Sequence, residues 1–151
     1  MTRKIGFIGL GIMGRPMSLN LLKAGYALSV FDINKEAVAA LEAAGASGAG
    51  SPKEVAANSE IIFTMLPNSR HVKEVMTGEN GILQGANKES VIIDMSSISP
   101  VVSKELAAIA AEAGLHMLDA PVSGGEPKAI DGTLAIMVGE ARACLKACWT
   151  F

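Results

Sequence analysis

Residues 4–25 read KIGFIGLGIMGRPMSLNLLKAG, a short apolar stretch that passes through three spaced glycines into an amphipathic one. Lys4-Ile5-Gly6-Phe7-Ile8 leaves no room for a helix before Gly9 and is too uniformly apolar for a half-exposed strand, so it predicts a buried strand. Gly9, Gly11 and Gly14 follow in G-x-G-x-x-G spacing. Each answers a different steric demand: Gly9 a tight turn out of the strand, Gly11 the close approach of a pyrophosphate, Gly14 close packing of helix on strand. The helix is expected to begin near Ile12 or Met13, with Pro16 in its first turns, where a missing N–H costs least. It is expected to bury Met13, Met17, Leu21 and Leu22 and to stop at Gly25. Its free N–H groups and positive dipole end then face the loop Gly9-Leu10-Gly11-Ile12-Met13-Gly14, which suits an anion.

A glycine-rich turn can serve packing alone, so context decides. Here the motif leaves a strand, opens a helix and is followed by a second apolar strand, Ala27 to Phe31. That strand ends in Asp32, where a carboxylate can accept the hydroxyls of an adenosine ribose. The charge of Asp32 would repel a 2′-phosphate, so NAD is expected ahead of NADP, with Lys35 near enough to soften the preference.

The whole chain sets bounds on this reading. Its 151 residues amount to one domain, and a 50% hydrophobic content is enough for a core. A net charge of −2 offers no basic surface, which argues against a nucleic-acid partner. No apolar run approaches the roughly 18 to 20 residues of a membrane span, and the N-terminus lacks the features of a signal peptide, so no membrane partner and a cytoplasmic location are expected. Cys144 and Cys148, four apart with no nearby histidine, make a poor metal site and an improbable disulfide; free thiols and no metal are expected.

Further along, Asn34 to Gly45 predicts a second helix, capped by Asn34, with Val38 and Leu41 inward. Ala46 to Gly50 reads as an edge strand or a turn, and Ser51-Pro52-Lys53-Glu54 as a capping box opening a short helix to about Asn58. Ile61 to Leu66 is expected as a buried strand, after which Pro67-Asn68-Ser69 caps a helix carrying Val72, Val75 and Met76. Gly78 to Gly85 reads as a loop with one short helical turn, and Val91 to Asp94 as a strand ending in Met95-Ser96-Ser97. Ser99 and Pro100 are expected to cap and open a helix over Val101 to Ala113, with Leu106 and Ile109 inward. Leu115 to Ala120 is a further strand, followed by Pro121-Val122-Ser123-Gly124-Gly125. Leu134 to Val138 is the last apolar strand; it follows a polar loop rather than a crossover helix, which would let it run antiparallel at the sheet edge.

Strands alternating with helices in this way predict an α/β fold with a doubly wound, mostly parallel sheet. Ligands gather at strand C-terminal ends in such sheets, and four clusters are expected there: Gly9 to Gly14, Met65 to Asn68, Asp94 to Ser97 and Ala120 to Gly125. Bland readings stand beside these. Ser96 and Ser97 can simply terminate a strand, Ser123 to Gly125 can be a flexible loop, and His71 and His116 are expected at solvent-facing and strand-start positions, neither a convincing acid or base.

The chain resembles the β-hydroxyacid dehydrogenase family in several blocks: GFIGLGIMG at 6–14, TMLPNSRHVKEV at 64–75, GENGIL at 78–83, IDMSSISP at 93–100 and DAPVSGGEPKAIDGTLAIMVG at 119–139. The resemblance implies a Rossmann-type domain and NAD-linked interconversion of a small carboxylate-bearing semialdehyde and its β-hydroxyacid. Tartronate semialdehyde, giving glycerate, is expected ahead of 3-hydroxyisobutyrate as the substrate, and a stand-alone NAD-binding module without catalysis is the alternative. By position, the resemblance implies that Gly9, Leu10, Gly11, Ile12, Met13 and Gly14 hold the pyrophosphate and Asp32 the ribose. It further implies that Met65, Leu66 and Pro67 line the cofactor cleft, that Ser97 lies beside the nicotinamide end, and that Ser123, Gly124 and Gly125 take the substrate carboxylate. A hydroxyl followed by consecutive glycine N–H groups can form an anion-binding concavity.

The family continues into a helical domain opened by a glycine-rich segment whose lysine protonates the carbonyl oxygen. No such segment occurs here, so no catalytic residue is assigned; Lys146 lacks the glycine context. Residues 1–139 are therefore expected as the dinucleotide-binding domain and 140–151 as a divergent tail, with the family's helical C-terminal domain absent and this polypeptide inactive alone. A domain cut short near Gly139 and a natural short protein ending in an amphipathic helix are both consistent with that. Apolar surface left without the missing helices predicts self-association.

Overall fold

The structure, a computed structural model, describes residues 3–139. The tail expected at 140–151, with Lys146, Cys144 and Cys148, lies outside the described residues.

Six parallel strands form the main sheet: β1 (Lys4–Ile8), β2 (Ala27–Phe31), β3 (Ser47–Gly48), β4 (Ile61–Thr64), β5 (Val91–Asp94) and β6 (His116–Asp119). Their order is β3-β2-β1-β4-β5-β6. The chain first winds outward from β1 to β3, then returns to lay β4 on the other side of β1 and winds outward again. This is the doubly wound architecture that the alternating pattern predicts, and its direction reverses between β1 and β4.

Helices α1 (Gly14–Lys23), α2 (Lys35–Ala43), α3 (Pro52–Ala57), α4 (Ser69–Thr77) and α5 (Pro100–Glu112) make the crossovers, with a 3₁₀ turn at Ile82–Gln84. Side chains alternate across β1 and so serve two cores. Ile5 and Phe7 join Leu28, Val30 and Leu41 in one; Ile8 joins Ile62, Ile92, Val72, Met76 and Leu106 in the other. The rings of the register partners Phe7 and Phe63 stack at 5.8 Å between centroids. Gly6 is needed because a Cβ there would stand 2.5 Å from Val55 and 2.7 Å from the Ser59 hydroxyl, closing the space α3 occupies.

Local signals held where side-chain chemistry specified them. Asn34 accepts from the Glu36 N–H at 3.0 Å and Asn68 from the His71 N–H at 3.2 Å, each capping its helix. The expected capping box at Ser51 is half formed: the Ser51 hydroxyl accepts from the Glu54 N–H, but the Glu54 carboxylate reaches past it to the Gly50 N–H at 2.7 Å.

Several boundaries and roles differ from expectation. α1 begins at Gly14, and its fully buried positions are Gly14 and Ser18, whereas Met17, Leu21 and Leu22 flank the contact half-buried. Small residues four apart let the helix axis approach the sheet, which pushes larger neighbours outward. β4 stops at Thr64, not Leu66. Ser99 makes no side-chain cap; its own N–H donates to the Ser69 hydroxyl at 3.1 Å. The segment read as a polar loop contains a sixth α-helix, α6 (Gly125–Asp131). The last apolar run forms only β8 (Ala135–Ile136), which pairs antiparallel with β7 (Val122–Ser123) in a separate two-stranded sheet. An antiparallel bridge between Asp119 and Gly139 ties that hairpin to the end of β6.

Packing at Gly14 predicts a specific lesion. A Cβ there would collide with the Gly9 carbonyl oxygen and stand 3.2 Å from the Phe7 ring. Gly14→Ala is expected to lower stability by about 3 kcal/mol or more, measured by urea denaturation.

Candidate functional site

A cleft of about 810 Å³ opens at the point where strand order reverses. Gly9, Gly11, Ile12, Met13 and Gly14 form its floor; Asp32 closes the β2 end, and Met65, Leu66 and Pro67 form the wall beyond β4. The three glycines do not share one reason for being glycine. Gly9 has φ +97°, and a Cβ on it would strike the Met65 carbonyl oxygen. Gly14 is confined by Gly9, as described. At Gly11, by contrast, a Cβ would meet nothing within 4 Å. No packing among the described residues explains glycine at that position.

Asp32 is positioned by backbone groups. Its Oδ2 accepts from the Leu10 N–H at 2.6 Å and its Oδ1 from the Asn34 N–H at 2.7 Å. Each oxygen retains lone-pair capacity for a second donor. Leu10 itself does not line this cleft: its side chain is buried in the core, and its part in the site is the N–H that holds Asp32. Ser97 also lies outside the cleft lining and is exposed, whereas its neighbour Ser96 is buried and accepts from the Leu66 N–H at 2.8 Å.

Behind that wall sits a buried carboxyl. Asp94 Oδ1 accepts from the Thr64 hydroxyl at 2.7 Å and from the Ser96 N–H at 3.2 Å, while Oδ2 is buried without a hydrogen-bond partner. Burial pushes the Asp94 pKa up from its ordinary 3.8, and the interactions with Ser96 and Thr64 pull less strongly downward; the carboxylate of Asp119, its register partner on β6, adds to the rise. Asp119 is itself raised by burial.

Ser123, Gly124 and Gly125 are exposed at the junction of β7 and α6, apart from the large cleft. Gly124 has φ +139° and Gly125 φ +69°, conformations that disfavour a side chain. The stem of Lys128 lies over this loop, so that a Cβ on Gly124 would stand 2.5 Å from its Cδ. Asn20 Nδ2 donates to the Ala129 carbonyl at 2.8 Å and joins α6 to α1, leaving a second cavity of about 530 Å³ lined by Gly11, Ile12, Arg15, Glu126 and Ile130. Gly11 and Ile12 therefore border both spaces. Sequence reasoning missed Lys128 because its position depends on α6. It also left out His71, Glu74 and the 78–81 turn, which complete the large cleft; the helical period of α4 could have put His71 and Glu74 on one face.

A parallel sheet of this order, cleft at its reversal over a glycine turn, is the architecture of dinucleotide-binding domains. The chain belongs to the NAD-binding domains of the 6-phosphogluconate dehydrogenase-like β-hydroxyacid dehydrogenases: residues 4–149 match the family described as "NAD binding domain of 6-phosphogluconate dehydrogenase". It is 51% identical over 140 residues to 2-(hydroxymethyl)glutarate dehydrogenase of Eubacterium barkeri, covering 93% of this chain and 46% of that protein. It is 49% identical over 136 residues to 2-hydroxy-3-oxopropionate reductase of Escherichia coli (strain K12), covering 90% and 46%. The solved structure of Mycobacterium tuberculosis 3-hydroxyisobutyrate dehydrogenase with L-serine matches with a TM-score of 0.91 and 38% identity, over 97% of this chain and 49% of that one. The chain thus spans about half the length of these relatives.

Asp94 contributes a pH-dependent part of the stability. Its folded pKa lies above the unfolded value, so its contribution is fully present below the unfolded pKa and is lost as pH rises through the folded one. Asp94→Asn keeps the shape and the Oδ1 acceptor but removes the titration. Urea denaturation at pH 4 and pH 8 is expected to show the variant gaining on the native chain at the higher pH; an equal difference at both would mean that Asp94 titrates alike folded and unfolded.

Proposed function

We propose that this chain is the cofactor-binding half of an NAD-dependent β-hydroxyacid dehydrogenase acting on a small carboxylate-bearing semialdehyde. Tartronate semialdehyde is the first substrate to test and 3-hydroxyisobutyrate the second. The observation that carries the cofactor part is Gly11, glycine at a position where the protein itself leaves room for a side chain. A pyrophosphate laid across that space would meet the loop from Gly9 to Gly14 and the N-terminus of α1. Asp32 would accept the adenosine ribose hydroxyls on the oxygen capacity left by Leu10 and Asn34. Met65, Leu66 and Pro67 would bound the cofactor on the β4 side, with Ser97 toward the nicotinamide end.

The cofactor, when bound, supplies the hydride. Ser123, Gly124 and Gly125 would hold the substrate carboxylate through a hydroxyl and backbone N–H groups, with α6 pinned to α1 by Asn20. The 151 residues contain no glycine-framed lysine of the kind the resemblance calls for. Our reading is that this polypeptide on its own binds NADH without turnover, and that its apolar side chains Ile130, Ile136, Met137 and Val138, all 44% or more exposed, promote self-association.

Titration calorimetry with NADH, joined to a turnover assay on tartronate semialdehyde, tests this reading. The native chain is expected to bind NADH, and Gly11→Ala to lose about tenfold or more in affinity with an unchanged melting temperature, because the new methyl meets ligand rather than protein. Equal affinity in the variant would count against a pyrophosphate at Gly11. Turnover by the native chain would show that a proton donor is present among its residues; NADH binding without turnover fits the cofactor half or a stand-alone binding module. Sedimentation over a concentration series is expected to show association, and a monomer throughout would remove that part of the reading.

A further inference from the structure

The inference below rests on reading the large cleft as a cofactor site and deepens it toward the choice of dinucleotide. The charge of the described lining is one-sided. Besides Asp32 it carries Glu74 on α4 and Glu79 in the following turn, and no lysine or arginine; His71 is the one other ionisable side chain. His71 Nδ1 stands 2.9 Å from Asn68 Oδ1, so the ring is engaged by the residue that caps its helix.

The acidic wall is held in place by main-chain bonds. The Gly78 N–H donates to the Glu74 carbonyl at 2.9 Å, the Gly81 N–H to the Gly78 carbonyl at 2.9 Å, and the Lys53 N–H to the Asn80 carbonyl at 2.8 Å. The last bond ties the 78–81 turn to α3 at Lys53, next to Pro52, which lines the same cleft as Asp32 and Ile33. The turn and the end of β2 therefore line one cleft. Asp32 is committed to two backbone donors, whereas no hydrogen bond or ion pair engages the Glu74 or Glu79 carboxylate among the described residues.

We infer that Glu74 and Glu79 are specificity-determining residues, which with Asp32 make this cleft reject a dinucleotide phosphorylated on its adenosine ribose and accept one carrying free hydroxyls there. A phosphate monoester brings close to two negative charges near neutral pH. Sites that accept one supply arginine or lysine to it; this wall supplies carboxylates instead. Repulsion of that kind acts on any anionic dinucleotide but weighs most on the one that adds a phosphate beside the carboxylates, and so discriminates against it. Asp32 combines acceptance and repulsion in one group, whereas Glu74 and Glu79 contribute only repulsion.

That division makes the inference testable. Both glutamates are exposed, so Glu74→Gln and Glu79→Gln leave packing intact. NADH and NADPH are titrated calorimetrically into the native chain, each single variant and the double variant, at one pH and at low and high salt. The native chain is expected to prefer NADH by about tenfold or more. In the double variant NADPH affinity is expected to rise by roughly tenfold and NADH affinity by several times less, so that the preference between them narrows. Added salt, which screens the repulsion, is expected to narrow the native preference more than that of the variant. NADH binding with an NADPH affinity that neither substitution moves would overturn this inference alone. Substitutions that shift both dinucleotides equally would also overturn it, and binding of neither dinucleotide to the native chain would overturn the cofactor reading beneath it.

Discussion

Three backbone segments meet at the end of β1 with no side chain between them. The Met65 carbonyl occupies the place a Cβ of Gly9 would take, and the Gly9 carbonyl occupies the place of a Cβ on Gly14. These two contacts draw the start of α1 and the exit of β4 against the same turn. The strand order reverses at that point, so the crevice between the two halves of the sheet opens directly over the turn. A methyl group at either glycine would spread the elements apart, and the cleft is a consequence of their closeness.

Polar groups then fix the walls that this packing brings together. Asp32 holds the glycine loop from the β2 side through the Leu10 N–H. On the other side a relay runs from the Leu66 N–H to the Ser96 hydroxyl, and from the Ser96 N–H and Thr64 hydroxyl to Asp94. Two strands and the segment that lines the cleft are joined in this way. Burying Asp94 is unfavourable, as its raised pKa reflects, and the carboxyl is tolerated because its Oδ1 serves two donors at once. Neither Asp94 nor Ser96 lines the cleft, so the network's contribution is to orient Leu66.

The parts of the fold that could be read from the residues are those where one short stretch specifies its own geometry. Strands β1, β2 and β5 are apolar runs bounded by glycine, aspartate or serine, and the caps at Asn34 and Asn68 need only a side chain and an N–H two or three residues on. α6 was hidden because Gly125-Glu126-Pro127-Lys128 has turn composition; the element is held by Asn20, which is distant in sequence. Ser99 occupies a cap position by pattern, yet its N–H is taken by the Ser69 hydroxyl, so its helix starts without a side-chain cap. The apolar run at the end of the described chain reads as an edge strand free to run antiparallel; it does run antiparallel, but only over Ala135–Ile136 and against β7 rather than the main sheet, with Ile136 and Met137 each 53% exposed.

Sequence by itself determined the class of fold, the glycine turn and the identity of the carboxylate at the end of β2, because these depend on periodicity and on steric demands within a few residues. Tertiary structure decided which residues share a cleft. It separated Gly11, free of protein neighbours, from Gly9 and Gly14, which packing requires. It left the Leu10 and Ser97 side chains outside the lining of the large cleft and brought Glu74, Glu79 and the turn held by Lys53 into it. It also left the Ser123 to Gly125 loop outside the lining of the large cleft. Such relations depend on how helices and strands remote in the chain approach one another, and no local pattern encodes that approach.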